Sequence, residues 1–329
     1  MNKELLDRLR IVTEEEQLIL NGQKDVQKEL YTKDKHFIID SKKMLKKGKL
    51  MDIRPHTRFI HFPRHKHNYI EIIYMCSGST THIINDSTTV NLNAGDLLFL
   101  NQNASQEILP AAEDDIAVNF IVLPEFFDHT FSMIKDKNVL WDFLVGTLKH
   151  SKSMIDYIHF QVNNILPIQN LIENMIWSIV NKQPNSRNIN QTTMGLLFLQ
   201  LLNYTDRINR SDPSMQAQTI VFTVLKYIEE NYKTATLGEI SDMLNHPPYA
   251  ISKLIKKHSG QTFKNLLQTK RLNQSAFLLS TTNLAVEDII SIVGYDNTSY
   301  FHRIFKNHYR MTPKCYRQHK NNFVCPRNR

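Results

Sequence analysis

The sequence predicts an α+β multidomain fold, in which a β-barrel or sandwich with following helices precedes an all-α domain of two helix-turn-helix units joined by a long helix. The 329 residues exceed one ordinary domain, since a domain commonly holds roughly 100–200 residues. Short β-branched and aromatic runs fill residues 54–123, whereas apolar residues recur at helical spacing from Thr219 onwards. These observations divide the chain into a β-rich part and a helical part.

The composition excludes several classes of protein. Apolar residues make up 41% and charged residues 22% of the chain, which is ordinary for a globular protein. The longest apolar run, Met194 to Leu202, is far shorter than the roughly 20 residues that span a bilayer. The N-terminus has no apolar signal core. We therefore expect a cytoplasmic protein with no membrane contact.

Positive charge is concentrated at the C-terminal end. Residues 216–329 contain 16 Lys and Arg but only 7 Asp and Glu, so the rest of the chain is near neutral despite the overall charge of +8. A basic domain beside a neutral one indicates an anionic polymer as partner, although charge alone does not separate nucleic acid from a membrane surface.

The first two thirds of the chain change character twice. Residues 1–30 show helical spacing, and residues 54–123 then form short predicted strands separated by turn signals such as Asn85-Asp86 and Gly95-Asp96. Helical spacing returns in residues 124–209. Helices after a barrel either dimerise or simply pack on it, and the sequence leaves both interpretations open.

The C-terminal third repeats one pattern. In the first copy, Thr236 and Glu239 form a candidate capping box, Pro248 suits the first turn of a second helix, and Gly260 ends that helix. A long amphipathic helix follows, and a second pair of helices then turns at Gly294. Two short helices joined by a tight turn form a helix-turn-helix, so the sequence predicts two such units.

A series of residues in this region carries a resemblance to a known family. In chain order they are Gly260-Gln261-Thr262-Phe263, Arg271-Leu272 with Ala276, Val293-Gly294-Tyr295, Ser299-Tyr300-Phe301, Arg303, Phe305-Lys306, Thr312-Pro313 and Tyr316-Arg317. Their order and spacing, over about 100 residues, resemble the DNA-binding domain of the AraC/XylS family of transcription regulators. Arg310 departs from the pattern, because the family commonly has glycine there.

The resemblance implies double-stranded promoter DNA as partner. Two recognition helices on one rigid linker would enter major-groove segments about one helical turn, roughly 34 Å, apart. The implied base-facing residues are Tyr249, Ser252, Lys253, Thr298, Ser299, His302 and Arg303. The implied phosphate contacts are Lys256, Lys257, Lys306 and Lys314, unless a given lysine only belongs to a solvated basic face.

Two further expectations concern the second recognition helix and the assembly. Arg303 is expected to bind guanine with two hydrogen bonds, whereas helical spacing favours Tyr300, Phe301 and Phe305 as core residues. We also expect a homodimer that contacts RNA polymerase and acts as an activator, although the sequence itself leaves activation and repression both open.

A histidine motif in the β-rich part resembles the first motif of the cupins. His65, His67, Glu71 and Gly78 fit the spacing H-x-H-x3-E-x6-G, and Gln106 stands where a metal-binding cupin has its last histidine. His65, His67 and Glu71 share parity, so on a strand they would face one side, toward the barrel interior. We interpret these three residues and Gln106 as an effector site in a cupin-like barrel.

Three interpretations of this motif remain open: a metal site, a site for a polar small molecule, and purely structural histidines. The amide of Gln106 is a poor ligand for transition metals, so we expect no metal, no cofactor and no catalytic residues. Similarity to sugar-responsive family members makes a carbohydrate one candidate effector. The alternatives are an effector-free regulator whose barrel only dimerises, and a metal-dependent cupin enzyme fused to a DNA-binding tail.

The predicted organisation follows from these assignments. It comprises an N-terminal helical arm (1–50), a cupin-like effector-sensing barrel (51–124), a helical dimerisation or support region (125–209), a linker (210–217), a double helix-turn-helix DNA-binding domain (218–320) and a basic tail (321–329).

Overall fold

The structure is a computed structural model that describes residues 1–34, 36–127, 156–208 and 213–320. Its contacts separate two compact units, with a boundary between Thr219 and Ile220. The first unit is rich in β-strands and the second is helical. This arrangement confirms the predicted α+β fold. None of the helices in these ranges is both long and apolar enough to cross a membrane.

The N-terminal arm begins with two capped helices. They are α1 (Lys3–Leu9) and α2 (Glu14–Leu20), and in α2 the side chains of Thr13 and Glu16 form a complete capping box. A single 3-10 turn (Lys28–Leu30), strand β1 (Ile38–Ile39) and the short helix α3 (Ser41–Met44) follow. The sequence predicted only helix here, but β1 pairs in parallel with a barrel strand. The arm is therefore part of the barrel sheet.

The barrel wall consists of two five-stranded sheets with orders β1-β3-β8-β5-β6 and β10-β7-β4-β9-β2. The strands after β1 are β2 (Met51–Pro55), β3 (Phe62–His67), β4 (Ile70–Ser77), β5 (Ser79–Ile84), β6 (Thr88–Asn93), β7 (Leu97–Leu100), β8 (Gln106–Ile108), β9 (Ile116–Val122) and β10 (Tyr157–Phe160). Every pair that does not involve β1 is antiparallel.

Strand β10 lies outside the predicted barrel range of 51–124. It pairs with β7, placing Tyr157 opposite Leu100, and all four of its residues are buried. A short apolar run without alternation does not distinguish a strand from a buried piece of helix. The helical spacing around this run therefore concealed the strand.

Two helices follow the barrel strands. They are α4 (Leu166–Val180) and α5 (Ser186–Asn203), which pack against each other. The ring of Phe198 on α5 meets the ring of Phe99 on β7 with 5.5 Å between centroids, so this hairpin covers one face of the barrel. Much of the predicted linker is helical, because α6 already begins at Pro213, a residue suited to a first helical turn.

The helical unit reproduces the predicted double motif. Its helices are α6 (Pro213–Asn231), α7 (Leu237–Leu244), α8 (Pro248–Ser259), α9 (Phe263–Thr281), α10 (Val286–Ile292), α11 (Thr298–Tyr309) and α12 (Pro313–Lys320). Phe301 and Phe305 are fully buried and Tyr300 packs against the same cluster, which confirms their prediction as core residues. The basic tail 321–329 lies outside the described residues.

The turn at Gly294 is packed against the end of α6. Gly294 has a φ of +86°, and a Cβ placed there would lie 2.4 Å from the carbonyl oxygen of Lys233. Arg271 on α9 reinforces this junction by donating to the carbonyl oxygens of Tyr232 at 2.7 Å and Lys233 at 2.8 Å. Glycine at this position thus permits both the backbone conformation and the close approach.

We expect Gly294→Ala to lower the free energy of unfolding by about 1–3 kcal/mol, because the new Cβ meets backbone and the φ is unfavourable for alanine. Gly238→Ala is the matched control, since a Cβ at this helical position meets nothing within 4 Å. Denaturant titrations of the full chain, followed by circular dichroism, measure both. Equal effects of the two substitutions would contradict this account of the turn.

Candidate functional site

The four predicted effector residues lie together inside the barrel. His65 and His67 lie on β3, Glu71 on β4 and Gln106 on β8, and none is more than 3% exposed. Nε2 of Gln106 donates to Glu71 Oε2 at 2.5 Å and lies 3.3 Å from Nε2 of His65. Nε2 of His67 lies 3.4 Å from Glu71 Oε2. The cluster therefore centres on the Glu71 carboxylate.

The predicted geometry of this cluster is wrong in one respect. The parity argument placed His65, His67 and Glu71 on one strand, but the chain turns at Asn68 and Tyr69 and the two strands belong to different sheets. The side chains converge because the sheets face each other across the interior. Parity alone does not detect a corner between two strands.

Sequence reasoning missed three polar residues of the same interior. Nδ2 of Asn119 on β9 donates to Glu71 Oε1 at 3.0 Å, and the Oδ1 of Asn119 lies 3.0 Å from Nδ1 of His56. His82 on β5 is fully buried, with its Nε2 2.9 Å from the Thr80 hydroxyl. A polar residue at an inward position of a strand, as in THII or AVNFIV, is the signal that would have revealed His82 and Asn119.

The environment of Glu71 disfavours its charge. Burial raises the pKa of Glu71 to about 7, although hydrogen bonds from Gln106 and Asn119 and the positive charge of Arg54 act in the opposite direction. This carboxyl therefore exchanges its proton near neutral pH, unlike an exposed glutamate.

The histidines of the interior are held in their neutral form. Burial lowers the pKa of His65 to about 4, and it lowers the pKa of His67 and His82 well below the usual value. The pKa of His56 is also lowered by burial. Neutral imidazoles each offer one donor and one acceptor, so the interior presents hydrogen-bonding groups rather than positive charge.

Several buried atoms of this cluster have no hydrogen-bond partner. They are Nε2 of His56, Nε2 of His67, Nδ1 of His82 and Oε1 of Gln106. A buried polar atom without a partner costs about 1–3 kcal/mol, so such atoms commonly mark a place for a water or a ligand. Within the described ranges, no group of three or more His, Cys, Asp or Glu side chains has an arrangement suited to a metal ion.

The arm and the barrel together line a small cavity beside the cluster. It has a volume of about 30 Å³, and its lining includes His56, His65, Glu71, Asn119 and, from the arm, Tyr31. A cavity of this volume has room for about two water molecules. A larger ligand can therefore enter only if part of the lining moves.

Two ion pairs connect α2 to the barrel near this cavity. Arg54 donates to Glu15 Oε2 at 2.6 Å and to the Tyr31 hydroxyl at 2.9 Å. Arg58 donates through Nε to Glu16 Oε1 at 2.7 Å, with both side chains almost fully buried. Glu16 Oε1 also accepts a hydrogen bond from the backbone N–H of Arg58. The Arg58–Glu16 pair is therefore a hydrogen-bonded buried pair rather than a surface contact.

The first predicted recognition helix, α8, divides into a buried and an exposed face. Ile251 and Ile255 are buried in the domain core. The predicted contact residues lie elsewhere on the helix: Tyr249, Lys253, Lys256 and Lys257 are exposed, and Ser252 is half-buried. Tyr249 is 76% exposed, which is unusual for a large aromatic side chain without a partner surface.

The second recognition helix, α11, is built in the same way. Its core positions are Phe301 and Phe305, while Thr298, Ser299, Arg303 and Lys306 are exposed and His302 is half-buried. The guanidinium carbon of Arg303 lies 5.4 Å from the centroid of the Tyr300 ring. Lys314, the remaining predicted phosphate contact, is exposed on α12.

Four predicted contact positions of one helix correspond to four of the other. A single offset in the numbering relates Tyr249 to Ser299, Ser252 to His302, Lys253 to Arg303 and Lys256 to Lys306, and it also relates the buried pairs Ile251–Phe301 and Ile255–Phe305. Both helices end in a left-handed residue, Gly260 in α8 and Arg310 in α11. The structure therefore accommodates arginine at the position where the family commonly has glycine.

We expect Glu71→Gln to remove a pH dependence of stability. The raised pKa in the folded state means that the contribution of Glu71 is fully present below its unfolded-state pKa of 4.5 and is lost as the pH rises through about 7. Compared with the wild type, the variant should gain free energy of unfolding between pH 5 and pH 8, by up to about 3 kcal/mol. The free Oε1 of Gln106 can accept a hydrogen bond from the new amide.

Glu14→Gln, at an exposed position of α2, is the control for this measurement. Denaturant titrations at several pH values compare each variant with the wild type. A difference for Glu71→Gln that does not change with pH would show that this carboxyl is not the group that titrates.

Two protein families match separate parts of the sequence. Residues 53–128 match the family described as "AraC-like ligand binding domain", and residues 240–319 match a "Helix-turn-helix domain" family. The first match covers most of the barrel strands and the second covers α8 to α11 completely.

Curated relatives agree with these matches. "Transcriptional activator PerA" of Escherichia coli O127:H6 is 30% identical over 145 residues, which cover 44% of this chain and 52% of the relative. The chain thus matches about half the length of that relative. "HTH-type transcriptional activator RhaR" of Escherichia coli O139:H28 is 20% identical over 260 residues, covering 78% of this chain and 87% of the relative.

A solved structure is similar to part of the chain. The C-terminal domain of the two-component response regulator yesN from Fusobacterium nucleatum is 35% identical and covers 29% of this chain and 94% of the solved chain, with a TM-score of 0.28. The matched families and relatives are regulators rather than enzymes, so they do not support the fused-enzyme alternative. The chain therefore combines a part similar to an AraC-like ligand-binding domain with a part similar to a helix-turn-helix domain, in the same chain.

Proposed function

We propose that this protein is a DNA-binding transcription regulator, and an activator, whose barrel binds a small polar effector. The observation that carries the DNA-binding part is the correspondence between α8 and α11. Each helix buries two apolar residues and leaves basic and hydroxyl side chains at equivalent exposed positions. Core packing does not require the same exposed side chains on both helices. Binding to two successive segments of a major groove does require them.

The side chains that can reach base edges would read the DNA sequence directly. Arg303 has a planar guanidinium suited to the two acceptors of guanine in the major groove. Its counterpart on α8 is Lys253, and both residues are exposed. Lys256, Lys306 and Lys314 supply charge for phosphate oxygens, which fixes position and makes binding sensitive to salt.

The effector proposal depends on the unpaired polar atoms of the barrel interior. A polyol such as a carbohydrate both donates and accepts hydrogen bonds, which matches neutral imidazoles, an amide oxygen and a carboxyl group. The cavity beside Glu71 is too small for a sugar, with a volume of about 30 Å³, so binding requires residues that line it to move, such as those of the arm. Displacement of the arm gives the protein two states that an effector can bind unequally.

We also propose a homodimer formed through α5, and RNA polymerase as a partner at the promoter. Ile189 and Leu196 lie seven residues apart on α5 and are 41% and 49% exposed. The exposed side of this helix from Asn188 to Asn203 carries no charge. A second copy of the same helix would cover this stripe in the manner of a coiled coil. Sedimentation of the full chain at micromolar concentration tests the dimer.

One observation favours an alternative in which the barrel binds no effector and only dimerises. The cavity in the described structure has room for only about two water molecules. In that case the histidine cluster would be structural, and no small molecule would change the affinity for DNA.

We expect Arg303→Ala and Lys306→Ala to differ in their effect on DNA binding. Arg303→Ala should weaken binding to the operator by roughly 1–3 kcal/mol and relax the preference at one base position. Lys306→Ala should weaken binding to all DNA sequences similarly. It should also reduce the slope of log affinity against log salt concentration by about one. Titrations of operator and random duplexes at several salt concentrations measure both effects.

Lys24→Ala is the control, because Lys24 is exposed in the N-terminal arm. Equal losses of specific and non-specific affinity for Arg303→Ala and Lys306→Ala would refute the division into base and phosphate contacts.

We expect the double substitution His65→Ala and His67→Ala to abolish the response to an effector and to leave basal DNA binding intact. Both residues lie in the barrel unit, and the recognition helices lie in the other. DNA titrations with and without a panel of sugars measure the response. An effector that acts equally on the wild type and the double variant would place the sensing site elsewhere and would leave the DNA-binding proposal unaffected.

A further inference from the structure

A second cavity lies outside the barrel interior, between the segment before β2 and the α4–α5 hairpin. It has a volume of about 370 Å³. This is within the range of roughly 300–1,000 Å³ that small-molecule sites occupy. The cavity shares no lining residue with the one beside Glu71.

Positive charge surrounds this second cavity. Lys46 and Lys49 line it from the segment before β2, and Lys182 and Arg187 line it from the hairpin. All four are exposed, and among the residues that the structure describes no acidic side chain lines the cavity. Lys49 pairs with Asp52 at 2.7 Å, whereas Lys46, Lys182 and Arg187 form no ion pair with any residue that the structure describes. The entrance therefore carries an excess of cations.

The N-terminal turn of α5 adds to this positive potential. Ser186 and Arg187, at the start of this 18-residue helix, line the cavity. The residue before them, Asn185, makes no side-chain capping hydrogen bond, and the first turn has no acidic residue. The partial positive charge of a helix N-terminus favours an anion in such a position.

A buried amide and an apolar surface complete the site. Asn190 lines the cavity and is only 4% exposed, and its Oδ1 has no hydrogen-bond partner. Since the two ends of an amide offer a donor and an acceptor, Asn190 can meet a polar atom of either kind. The remaining lining is largely apolar, from Leu50, Met51, Phe126 and Ile179.

We propose that this cavity is a second ligand site, which takes a small amphiphilic organic anion. The anionic head would lie among Lys182, Arg187 and the first turn of α5, and the apolar body would lie against Ile179 and Phe126. Because the site joins the segment before β2 to α5, a bound ligand would connect the barrel to the proposed dimer helix. The site does not depend on the barrel effector or on DNA binding.

The test uses two fluorescent probes that differ in their charge. The first is 8-anilinonaphthalene-1-sulfonate, and the second is N-phenyl-1-naphthylamine, which has the same aromatic body without the sulfonate. Fluorescence titrations of the full chain measure the affinity for each. We expect the sulfonate to bind more tightly, and the double variant Lys182→Gln with Arg187→Gln to lose about tenfold of this affinity. The affinity for the uncharged probe should stay the same.

Two further double variants keep the test independent of folding. Lys24→Gln with Lys66→Gln removes the same charge from exposed positions outside the cavity and should leave both affinities unchanged. Lys182→Glu with Arg187→Glu should reverse the order, so that the sulfonate binds more weakly than the uncharged probe.

Three outcomes would overturn the proposal. They are a wild-type protein that does not prefer the sulfonate, an equal loss of affinity in the Lys24 and Lys66 variant, and an unchanged order of affinity in the glutamate variant. Each would show that the anion is not held by the cations at this cavity.

Discussion

The barrel interior is organised around one buried carboxyl group. Glu71 is surrounded by amides and imidazoles, because β3, β8 and β9 each contribute a polar side chain to an otherwise apolar wall. An isolated buried carboxylate would be too costly, so the interior supplies hydrogen bonds and shifts the pKa toward neutrality instead. This arrangement leaves little freedom in the positions of the neighbouring polar groups, and under the proposed function it would favour an effector of matching polarity.

The helical unit follows a different constraint, namely repetition. Two apolar positions on each recognition helix fix which side faces the core, and this in turn fixes which side chains face outward. The buried positions keep an apolar side chain in both copies, whereas the outward positions change in chemical type, as where Tyr249 corresponds to Ser299 and Ser252 to His302. A duplicated scaffold with different exposed side chains can read two different DNA segments with one backbone design.

The sequence predicted the helical unit more fully than the barrel, for physical reasons. Helical spacing and the caps at Thr236 and Gly260 are local signals, so helix boundaries follow from nearby residues. The barrel depends on pairing between distant segments, which is why β1 and β10 were missed. The cupin-like motif identified His65, His67, Glu71 and Gln106 from their spacing in the sequence. His82 and Asn119 lie near them because of the register of the paired strands, and a short sequence spacing does not determine that register.

The contacts of the N-terminal arm limit how an effector can enter the barrel. Removing one partner of the buried Arg58–Glu16 pair would cost about 3–5 kcal/mol, a large part of the roughly 8 kcal/mol that a micromolar ligand provides. Tyr31, which lines the cavity from the arm, is connected to the same helix, because its hydroxyl donates to Glu15 on α2 and accepts from Arg54. The segment after Tyr31 is held by the parallel pairing of β1 with β3. Movement of the arm would therefore break these contacts together, and the free energy of effector binding would have to offset their combined cost.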